Sequence, residues 1–514
     1  MRASGVLLPI SSLPSRYGIG CFSRDAYDFI DQLAKAGQSK WQVLPLGPTG
    51  YGDSPYQPFS TFAGNPYFID LETLIEEGLL KREECECCDW GGSQRYVDYE
   101  KMYMSRFKVL HQAFERFEEN EEFQAFVKKE ADWLEDYCLF MAIKNDQQGA
   151  LWTGWSENLR TRDDKTMKEM QSKLEKEIQF YRFVQYEFDR QWKKIKAYAN
   201  QQGITIIGDL PIYVAIDSAD AWANPKLFQM DEACVPKAVA GCPPDAFSET
   251  GQLWGNPLYD WKYHEQSGYR WWIRRMRRSF ELYDTVRIDH FRGFSDYYSI
   301  PAGDDTAEHG HWEPGPGIEL FRAMEKELGE MDVIAEDLGT LDERVFDLLG
   351  ESGYPGMKVL QFAFDSGPSN FYLPHHYTRN CVVYTGTHDN DTTKSWYYTM
   401  PDWVREFSKA YLNNYDRSWE FIRAAEASVA DLAVIPMWDL LCCGNEGRMN
   451  HPSTLGNNWK WRMEKGDFRE DIIGRLRWLT DTFQRTLQVP EENVEAETGE
   501  NLESEESAEI SEKL

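Results

Sequence analysis

One short stretch of the chain combines the residue types that nucleophilic and acid–base chemistry need. Thr285, Val286 and Ile288 form an apolar, β-branched run that predicts a buried strand, and this strand ends at a charged tip. Arg287 and Asp289 lie two positions apart, so on an extended strand their side chains point to the same side. A guanidinium beside a carboxylate lowers the pKa of the carboxyl group and keeps it ionised. Such an aspartate can act as a nucleophile or stabilise a cation, although a structural ion pair is an equally good interpretation.

Three other predicted strands also reach a carboxylate at their end. They lie at 204–209, 332–337 and 381–389, and each is rich in β-branched and apolar residues. Parallel strands deliver all their C-terminal ends to the same face of a barrel. We therefore expect four acids to converge at one rim. They are Asp209, Asp289, Glu336 and Asp389.

Two kinds of chemistry use converging carboxylates. One is the binding of Mg²⁺ or Ca²⁺ through oxygen ligands. The other is glycosidic-bond chemistry, in which an ionised nucleophile and a protonated acid lie about 5–5.5 Å apart in a retaining enzyme. Basic residues beside the acids repel a cation and favour the second interpretation, so we predict no metal and no cofactor. These basic residues are Arg287, His290, Arg292 and His388.

The acid of such a pair must keep its proton near neutral pH. This requires raising the pKa of a glutamate from about 4.3 to roughly 6–7. Glu336 is the only glutamate of the four and follows an apolar run. Asp337 would point to the opposite side of a continuing strand, but spacing alone does not exclude it as the acid.

The strands that must position these residues alternate with helices. The chain opens with a strand at 5–10, a helix over 25–36 and a second strand at 41–46. This β-α-β order predicts a parallel sheet, and we predict an α/β fold, a (β/α)8 TIM barrel with large, mainly helical insertions. The remaining predicted strands lie at 204–209, 285–289, 332–337, 357–362, 381–389 and 432–436.

Two insertions and a tail are predicted in addition to the barrel. Helical periodicity from about 71 to 200 predicts a helical insertion, and a substrate-loop insertion is expected at about 215–260. The catalytic barrel with its insertions covers 1–488. Residues 489–514 carry many glutamates, one lysine and no aromatic residue, so they are expected to form an acidic disordered tail.

The loop at 47–58 is a candidate ligand-binding segment. It is rich in Gly and Pro and contains Tyr51, Ser54 and Tyr56. Flat aromatic rings and hydroxyl groups suit a polar ligand that stacks, such as a sugar. An ordinary surface loop is the alternative.

Charge limits the partners of the chain. The 514 residues carry a net charge of −31, which argues against nucleic acid or an anionic membrane as a partner. Residues 270–278 interleave Arg with Trp, as some nucleic-acid-binding segments do. At helical spacing, however, the Trp and Ile side chains are expected to face inward and the Arg side chains outward.

The ten cysteines do not form the pattern of a disulfide framework. Cys85, Cys87 and Cys88 are close together, but a zinc site there would need a second Cys or Cys/His pair that is missing at the usual spacing. We therefore predict free thiols in a reducing compartment. No apolar run is long enough to span a membrane, and Pro9 interrupts any signal-peptide core. A cytoplasmic enzyme is expected.

Eight motifs between about residues 5 and 485 occur together. They are WQVLPL at 41–46, GDSPY at 52–56, GDLPIY at 208–213, FSETGQLWGNPLY at 247–259, RIDHFRGF at 287–294, AEDLG at 335–339, THDN at 387–390 and NWKWR at 458–462. As a set they resemble the 4-α-glucanotransferases, also called amylomaltases or disproportionating enzymes, of the α-amylase clan. No single motif would be sufficient.

The resemblance implies a retaining transferase of glycogen, starch or maltose metabolism. Its substrates would be maltodextrins and other α-1,4-glucans, with the 4-hydroxyl of glucose or a maltodextrin as acceptor. Asp289 would be the nucleophile that forms a covalent glycosyl-enzyme, and Glu336 would be the acid and then the base. Asp389 would hold sugar hydroxyls and stabilise the transition state.

The resemblance also implies a set of substrate-binding residues. Arg287 would orient Asp289, and His388 and Asp209 would bind the sugar at the cleavage point. The residues from the loops would line neighbouring glucose sites, with loop packing as the alternative. The full set is Arg287, His388, Asp209, Tyr56, Ser54, Trp254 and Asp337.

Two positions depart from the family pattern. Ala246 stands where relatives usually carry an aromatic residue in a loop over the cleft, and Trp438 stands where they tend to carry Gln. An α-amylase-type hydrolase on the same site and a non-catalytic glucan-binding protein are alternatives. Exclusion of water would separate transfer from hydrolysis, and the intact set of acids argues against a binding protein. The oligomeric state is not predicted.

Overall fold

The structure is a computed structural model that describes residues 2–50, 52–244, 248–339, 341–412 and 417–486. Twelve strands lie in these ranges: β1 (Ala3–Leu7), β2 (Lys40–Gln42), β3 (Thr205–Pro211), β4 (Ala238–Cys242), β5 (Gln252–Pro257), β6 (Thr285–Asp289), β7 (Asp296–Pro301), β8 (His311–Pro314), β9 (Val333–Ala335), β10 (Gly356–Val359), β11 (Cys381–Tyr384) and β12 (Leu432–Pro436). The helices of the same ranges are α1 (Arg24–Lys35), α2 (Leu71–Glu76), α3 (Arg82–Glu86), α4 (Tyr99–Phe114), α5 (Glu121–Asp146), α6 (Glu157–Arg160), α7 (Asp164–Lys173), α8 (Glu175–Gln201), α9 (Ala219–Ala223), α10 (Trp261–Gln266), α11 (Arg270–Leu282), α12 (Ile318–Leu328), α13 (Glu343–Ser352), α14 (Thr393–Thr399), α15 (Asp402–Leu412), α16 (Arg417–Ala427), α17 (Met437–Leu440) and α18 (Glu470–Thr482).

Eight of the strands form a closed parallel barrel, which confirms the predicted fold class. The order around the barrel is β1, β2, β3, β6, β9, β10, β11 and β12, which is also their order along the chain. The barrel closes where β1 pairs in parallel with β12, Ala3 opposite Leu432 and Leu7 opposite Pro436. Since all eight strands run parallel, their C-terminal ends open at one rim.

β6 shows how the sequence builds both the core and the rim. Val286 and Ile288 are completely buried. Arg287 lies between them and points to the other face, where it contacts Asp209, its register partner on β3. Alternation along a strand thus separates the residues that pack from the residue that contacts the acids.

The four acids lie at different distances from the strand ends. Asp209 lies within β3, Asp289 is the last residue of β6, and Glu336 follows β9 directly. Asp389 lies further on, in the loop between β11 and α14. The prediction that each acid ends its strand is therefore accurate only for Asp289.

A second sheet, which the sequence analysis does not predict, stands beside the barrel. It is antiparallel, with the strand order β5, β4, β7 and β8. β4 and β5 lie in the segment predicted as a substrate-loop insertion at about 215–260, and β7 follows the turn after β6. This sheet brings Trp254 of β5 to the mouth of the barrel.

Between β2 and β3 the chain is helical. α2 to α8 lie there, and the two longest of these helices, α5 and α8, pack against each other. A single hydrophobic core continues from the barrel into this helical layer.

The expectation that the arginines of α11 face outward is wrong for two of them. Arg275 and Arg278 are 1% and 5% exposed. The Arg275 guanidinium donates to the carbonyl oxygen of Ile212 and lies over the Trp272 ring. Arg278 pairs with Asp189 of α8. These arginines are buried because α11 lies between the barrel and α8, where main-chain and acidic acceptors satisfy them.

Other sequence expectations have different outcomes. Residues 489–514 and Ala246 lie outside the described residues. All ten cysteines lie within the described ranges, and none of them is in a disulfide. Among the described residues, no group of His, Cys, Asp and Glu is arranged to hold a metal ion, and no described helix is long and apolar enough to cross a membrane.

Candidate active site

Arg287 joins two carboxylates at the rim of the barrel. Its Nη1 lies 2.7 Å from both oxygens of Asp209, and its Nη2 lies 3.0 Å from Oδ1 of Asp289. Burial alone would lower the pKa of Arg287, but Asp209 and Asp289 outweigh burial and raise this pKa well above its usual range. The guanidinium therefore stays charged. It fixes Asp289, whose side chain is still 28% exposed and open to a ligand.

Tyr56 approaches Asp209 from the loop after β2. Its hydroxyl donates to Oδ2 of Asp209 at 2.8 Å, and its ring stacks on the His388 imidazole with 5.1 Å between centroids. The Trp459 ring lies 5.6 Å from Tyr56 and 5.9 Å from His388. Ser54 lies in the same loop, and its Oγ accepts the Tyr56 N–H at 3.2 Å. Three distant parts of the chain thus form one aromatic wall beside the acids.

Asp389 is held by neighbours on two loops. Its Oδ2 lies 3.4 Å from Nε2 of His388, and its Oδ1 accepts a hydrogen bond from the Asn450 amide at 2.6 Å. Burial would raise the pKa of the Asp389 carboxyl, but His388, Asn450 and Arg287 hold this pKa well below its usual range. Burial would lower the pKa of His388, but the Asp389 carboxylate outweighs burial and raises this pKa. Asp389 is therefore an ionised hydrogen-bond acceptor.

Glu336 lies in surroundings that favour its protonated form. The residue is 9% exposed. Burial, and then the negative charge of Asp289, raise the pKa of Glu336 to about 8, although Arg287 opposes the shift. Its carboxyl oxygens accept N–H groups of His290 at 2.7 Å and of Leu338 at 2.9 Å. A protonated, fixed carboxyl group is what a general acid requires at neutral pH.

Trp254 covers the turn that follows Asp289. Its ring meets the His290 imidazole edge to face, with 4.9 Å between centroids and 90° between the planes. Burial lowers the pKa of His290 to about 4, so this imidazole is neutral at pH 7. The second sheet thus adds an aromatic surface next to the acids.

Asp337 does not join the other candidate residues. Its carboxylate accepts the Met357 N–H of β10 at 2.6 Å. The same carboxylate lies so close to Gly356 that a Cβ added there would be 2.4 Å from Oδ2 of Asp337. Burial raises the pKa of Asp337 to about 6. These contacts connect the chain after β9 to β10 and favour Glu336 over Asp337 as the acid.

The sequence analysis missed two residues of the site. Asn450 binds Asp389, and Trp459 packs on Tyr56 and His388. Trp459 belongs to the motif at 458–462, and this motif could have indicated that Trp459 lies at the site. Nothing in the sequence around Asn450 indicates that the segment after α17 turns back to Asp389.

The barrel and its rim together define a class of enzyme. An aspartate fixed by a charged guanidinium, a protonated glutamate and a second, ionised aspartate are the groups that double displacement at a glycosidic bond uses. The fold and the site are those of an α/β-barrel enzyme that acts on glycosidic bonds.

The chain belongs to the 4-alpha-glucanotransferase family, whose model matches residues 8–468. It is 46% identical over 483 residues to a 4-alpha-glucanotransferase from Clostridium butyricum, covering 93% of this chain and 99% of that one. It is 48% identical over 500 residues to one from Thermus thermophilus, with 94% and 99% covered. The solved structure of an amylomaltase from Streptococcus agalactiae in complex with acarbose is similar, with a TM-score of 0.93 at 40% identity, covering 95% of this chain and all of that one.

Proposed function

We propose that this chain transfers α-1,4-glucan segments from a donor maltodextrin to the 4-hydroxyl of an acceptor, by retaining double displacement at Asp289, Glu336 and Asp389. One observation carries the assignment of roles. The two acids joined through the turn after β6 have different surroundings, because Arg287 contacts Asp289, which is 28% exposed, while burial raises the pKa of Glu336 to about 8. An exposed aspartate held by a guanidinium suits the role of nucleophile, and a buried carboxyl group with a raised pKa suits the role of acid.

In the first step, the Asp289 carboxylate attacks the anomeric carbon of the donor sugar. Glu336 gives its proton to the glycosidic oxygen, the bond between that oxygen and the anomeric carbon breaks, and the shorter glucan leaves as an alcohol. The product is a covalent ester between Asp289 and the donor sugar, with inverted configuration at the anomeric carbon.

In the second step, the 4-hydroxyl of an acceptor glucan attacks the same carbon. Glu336, now ionised, removes the proton of this hydroxyl, and Asp289 leaves as a carboxylate. A second inversion restores the original configuration. The acid is then protonated again and ready for the next cycle.

The surrounding residues have supporting roles in this proposal. Asp389 and His388 bind hydroxyl groups of the reacting sugar, and Asp209 with Tyr56 borders the same position. The rings of Tyr56 and Trp254 offer flat surfaces for neighbouring glucose units, and Ser54 shapes the loop that carries Tyr56. The Asp389 side chain is 45% exposed, and the neighbouring His388 imidazole is buried. This exposure supports a role for Asp389 in binding the sugar.

Hydrolysis on the same site is the alternative function, because water could replace the acceptor hydroxyl. Incubation with maltotriose separates the two activities. Transfer yields free glucose together with a ladder of longer maltodextrins. An outcome with only maltose and glucose, and with reducing ends increasing in step, would contradict transfer. Unchanged maltotriose would favour a binding protein.

We also infer that the enzyme acts on glucans alone, in the cytoplasm. The net charge of −31 disfavours anionic polymers as partners. Ten cysteines without a disulfide suit a reducing compartment. Fractionation of the producing cells, with maltotriose disproportionation as the assay, tests the location.

A further inference from the structure

The turn that connects the proposed nucleophile to the proposed acid has an unfavourable backbone conformation. His290 directly follows Asp289 and has a φ of 54°, in the left-handed region that residues with a side chain rarely adopt. This conformation points the His290 N–H at Oε2 of Glu336, 2.7 Å away. The next N–H, that of Phe291, donates to the Glu336 carbonyl oxygen at 3.1 Å. The backbone of this turn therefore positions Glu336.

Arg292 anchors the other end of the same turn. Its side chain is 7% exposed, and its Nη2 lies 3.0 Å from Oδ1 of Asp296 and 3.3 Å from Oδ2 of Asp342. Its guanidinium lies over the Trp312 ring, 3.9 Å from the ring centroid. Asp296 is completely buried and also pairs with Arg344.

These contacts connect the two chain segments that carry the catalytic carboxyl groups. Arg292 is three residues after Asp289. Asp342 is six residues after Glu336 and caps α13, where its Oδ1 accepts the Arg344 N–H at 3.1 Å. One guanidinium thus bridges the turn after β6 and the start of α13, while the His290 N–H bridges the same two segments nearer the acids.

We propose that Arg292 is a positioning residue of the transfer reaction, which holds the strained turn and thereby the His290 N–H that orients Glu336. The inference rests on the proposed function, because it assigns Glu336 as the acid. Arg292 does not contact the reacting atoms. The planar, charged guanidinium of arginine can pair with two carboxylates and stack on an aromatic ring at this position. A lysine would lose the stacking and the second ion pair.

The test compares two donors that differ in their need for an acid. Maltotriose needs protonation of its leaving oxygen, whereas the fluoride of α-maltotriosyl fluoride departs with its bonding electrons and needs no proton. For Arg292→Met we expect disproportionation of maltotriose to slow by at least about tenfold. The first-turnover burst of fluoride, which reports attack by Asp289, should change by less than about threefold.

Three further variants make the result decisive. Asp342→Asn keeps a good helix cap and should show the same selectivity with a smaller effect, even if Arg292→Met folds poorly. Arg322→Met removes an exposed arginine that pairs with Glu319 on α12 and should alter neither reaction. Glu336→Gln is the reference for loss of the acid.

The outcomes separate the inference from the proposed function. Equal slowing of both donors in Arg292→Met and Asp342→Asn, or no slowing of either, would overturn the positioning role. If Glu336→Gln shows selective loss with maltotriose while Arg292→Met and Asp342→Asn do not, only the inference fails. If Glu336→Gln retains full activity on maltotriose, the assignment of the acid fails first.

Discussion

At the residue scale, the pH dependence of the reaction follows from Glu336. Burial and Asp289 raise its pKa from 4.5 to about 8. The acid is therefore protonated below this pH and loses its proton as the pH rises through it. We expect kcat/KM for maltotriose to fall on the alkaline side with an apparent pKa of about 8. A pH profile with α-maltotriosyl fluoride as donor serves as the control, because the burst of fluoride should lack this alkaline decline.

The identity of the acid can be tested by comparing adjacent residues. Glu336→Gln should lower maltotriose turnover by about 10²–10⁴-fold, because an amide has no proton to donate to the leaving oxygen. Asp337→Asn should cost less than about tenfold, since the Asp337 carboxylate binds the Met357 N–H of β10. Steady-state rates of glucose release measure both. If Asp337→Asn is the more damaging change, the two roles must be exchanged.

Contacts between site residues on the same strand could be predicted from the sequence, and contacts between residues on different strands could not. The spacing of Arg287 and Asp289 already places them on one side of a strand, and they are in contact. The stronger contact of Arg287, with both oxygens of Asp209, depends on the register between β3 and β6. Register is set by the packing of the whole barrel and is not visible in either segment.

At the element scale, the close approach of β3 to the chain before β6 depends on a glycine. A Cβ at Gly208 would lie 2.1 Å from the Tyr283 ring. Gly208→Ala should therefore lower the free energy of unfolding by about 1–3 kcal/mol through overpacking. It should also reduce activity, because Asp209 is the next residue. The midpoint of urea unfolding and the rate on maltotriose are the measurements.

Gly474 provides the matched control for this change. It lies in α18, is exposed, and an added Cβ would have no atom within 4 Å. Gly474→Ala should stabilise the protein by about 0.5–1 kcal/mol, because alanine loses less conformational freedom in a helix. Equal effects of the two substitutions would show that crowding at Tyr283 does not matter.

The prediction of elements succeeded for strands with continuous apolar runs and failed for the others. All eight barrel strands were expected near their observed positions, since parallel strands buried on both faces are strongly apolar. The second sheet was missed because β4 contains Gly, β5 contains Gly and Pro, and their segment was interpreted as a loop. The pairing of β4 with β5 and with β7, rather than their own composition, makes them strands.

At the scale of the whole molecule, a buried ion pair connects the helical layer to the segment after β3 and to the end of the loop at 47–58. Lys144 of α5 is 7% exposed at its side chain, and its Nζ lies 2.6 Å from Oδ2 of Asp217, in the segment after β3. The same ammonium group lies 5.1 Å from the centroid of the Phe59 ring, at the end of the loop that carries Tyr56. The pair connects the inserted helices, the barrel and the wall of the site.

We expect the two partners of this ion pair to be strongly coupled. Asp217→Leu alone should lower the free energy of unfolding by about 3 kcal/mol, because it leaves the Lys144 ammonium buried without its counter-ion. Combining Asp217→Leu with Lys144→Met should return the free energy of unfolding to within about 1 kcal/mol of the original protein, since an apolar pair of similar volume needs no counter-ion. Urea unfolding of the four proteins in this double-mutant cycle measures the coupling. Additive effects would show that the helical layer is attached to the barrel by its apolar contacts, with no contribution from this pair.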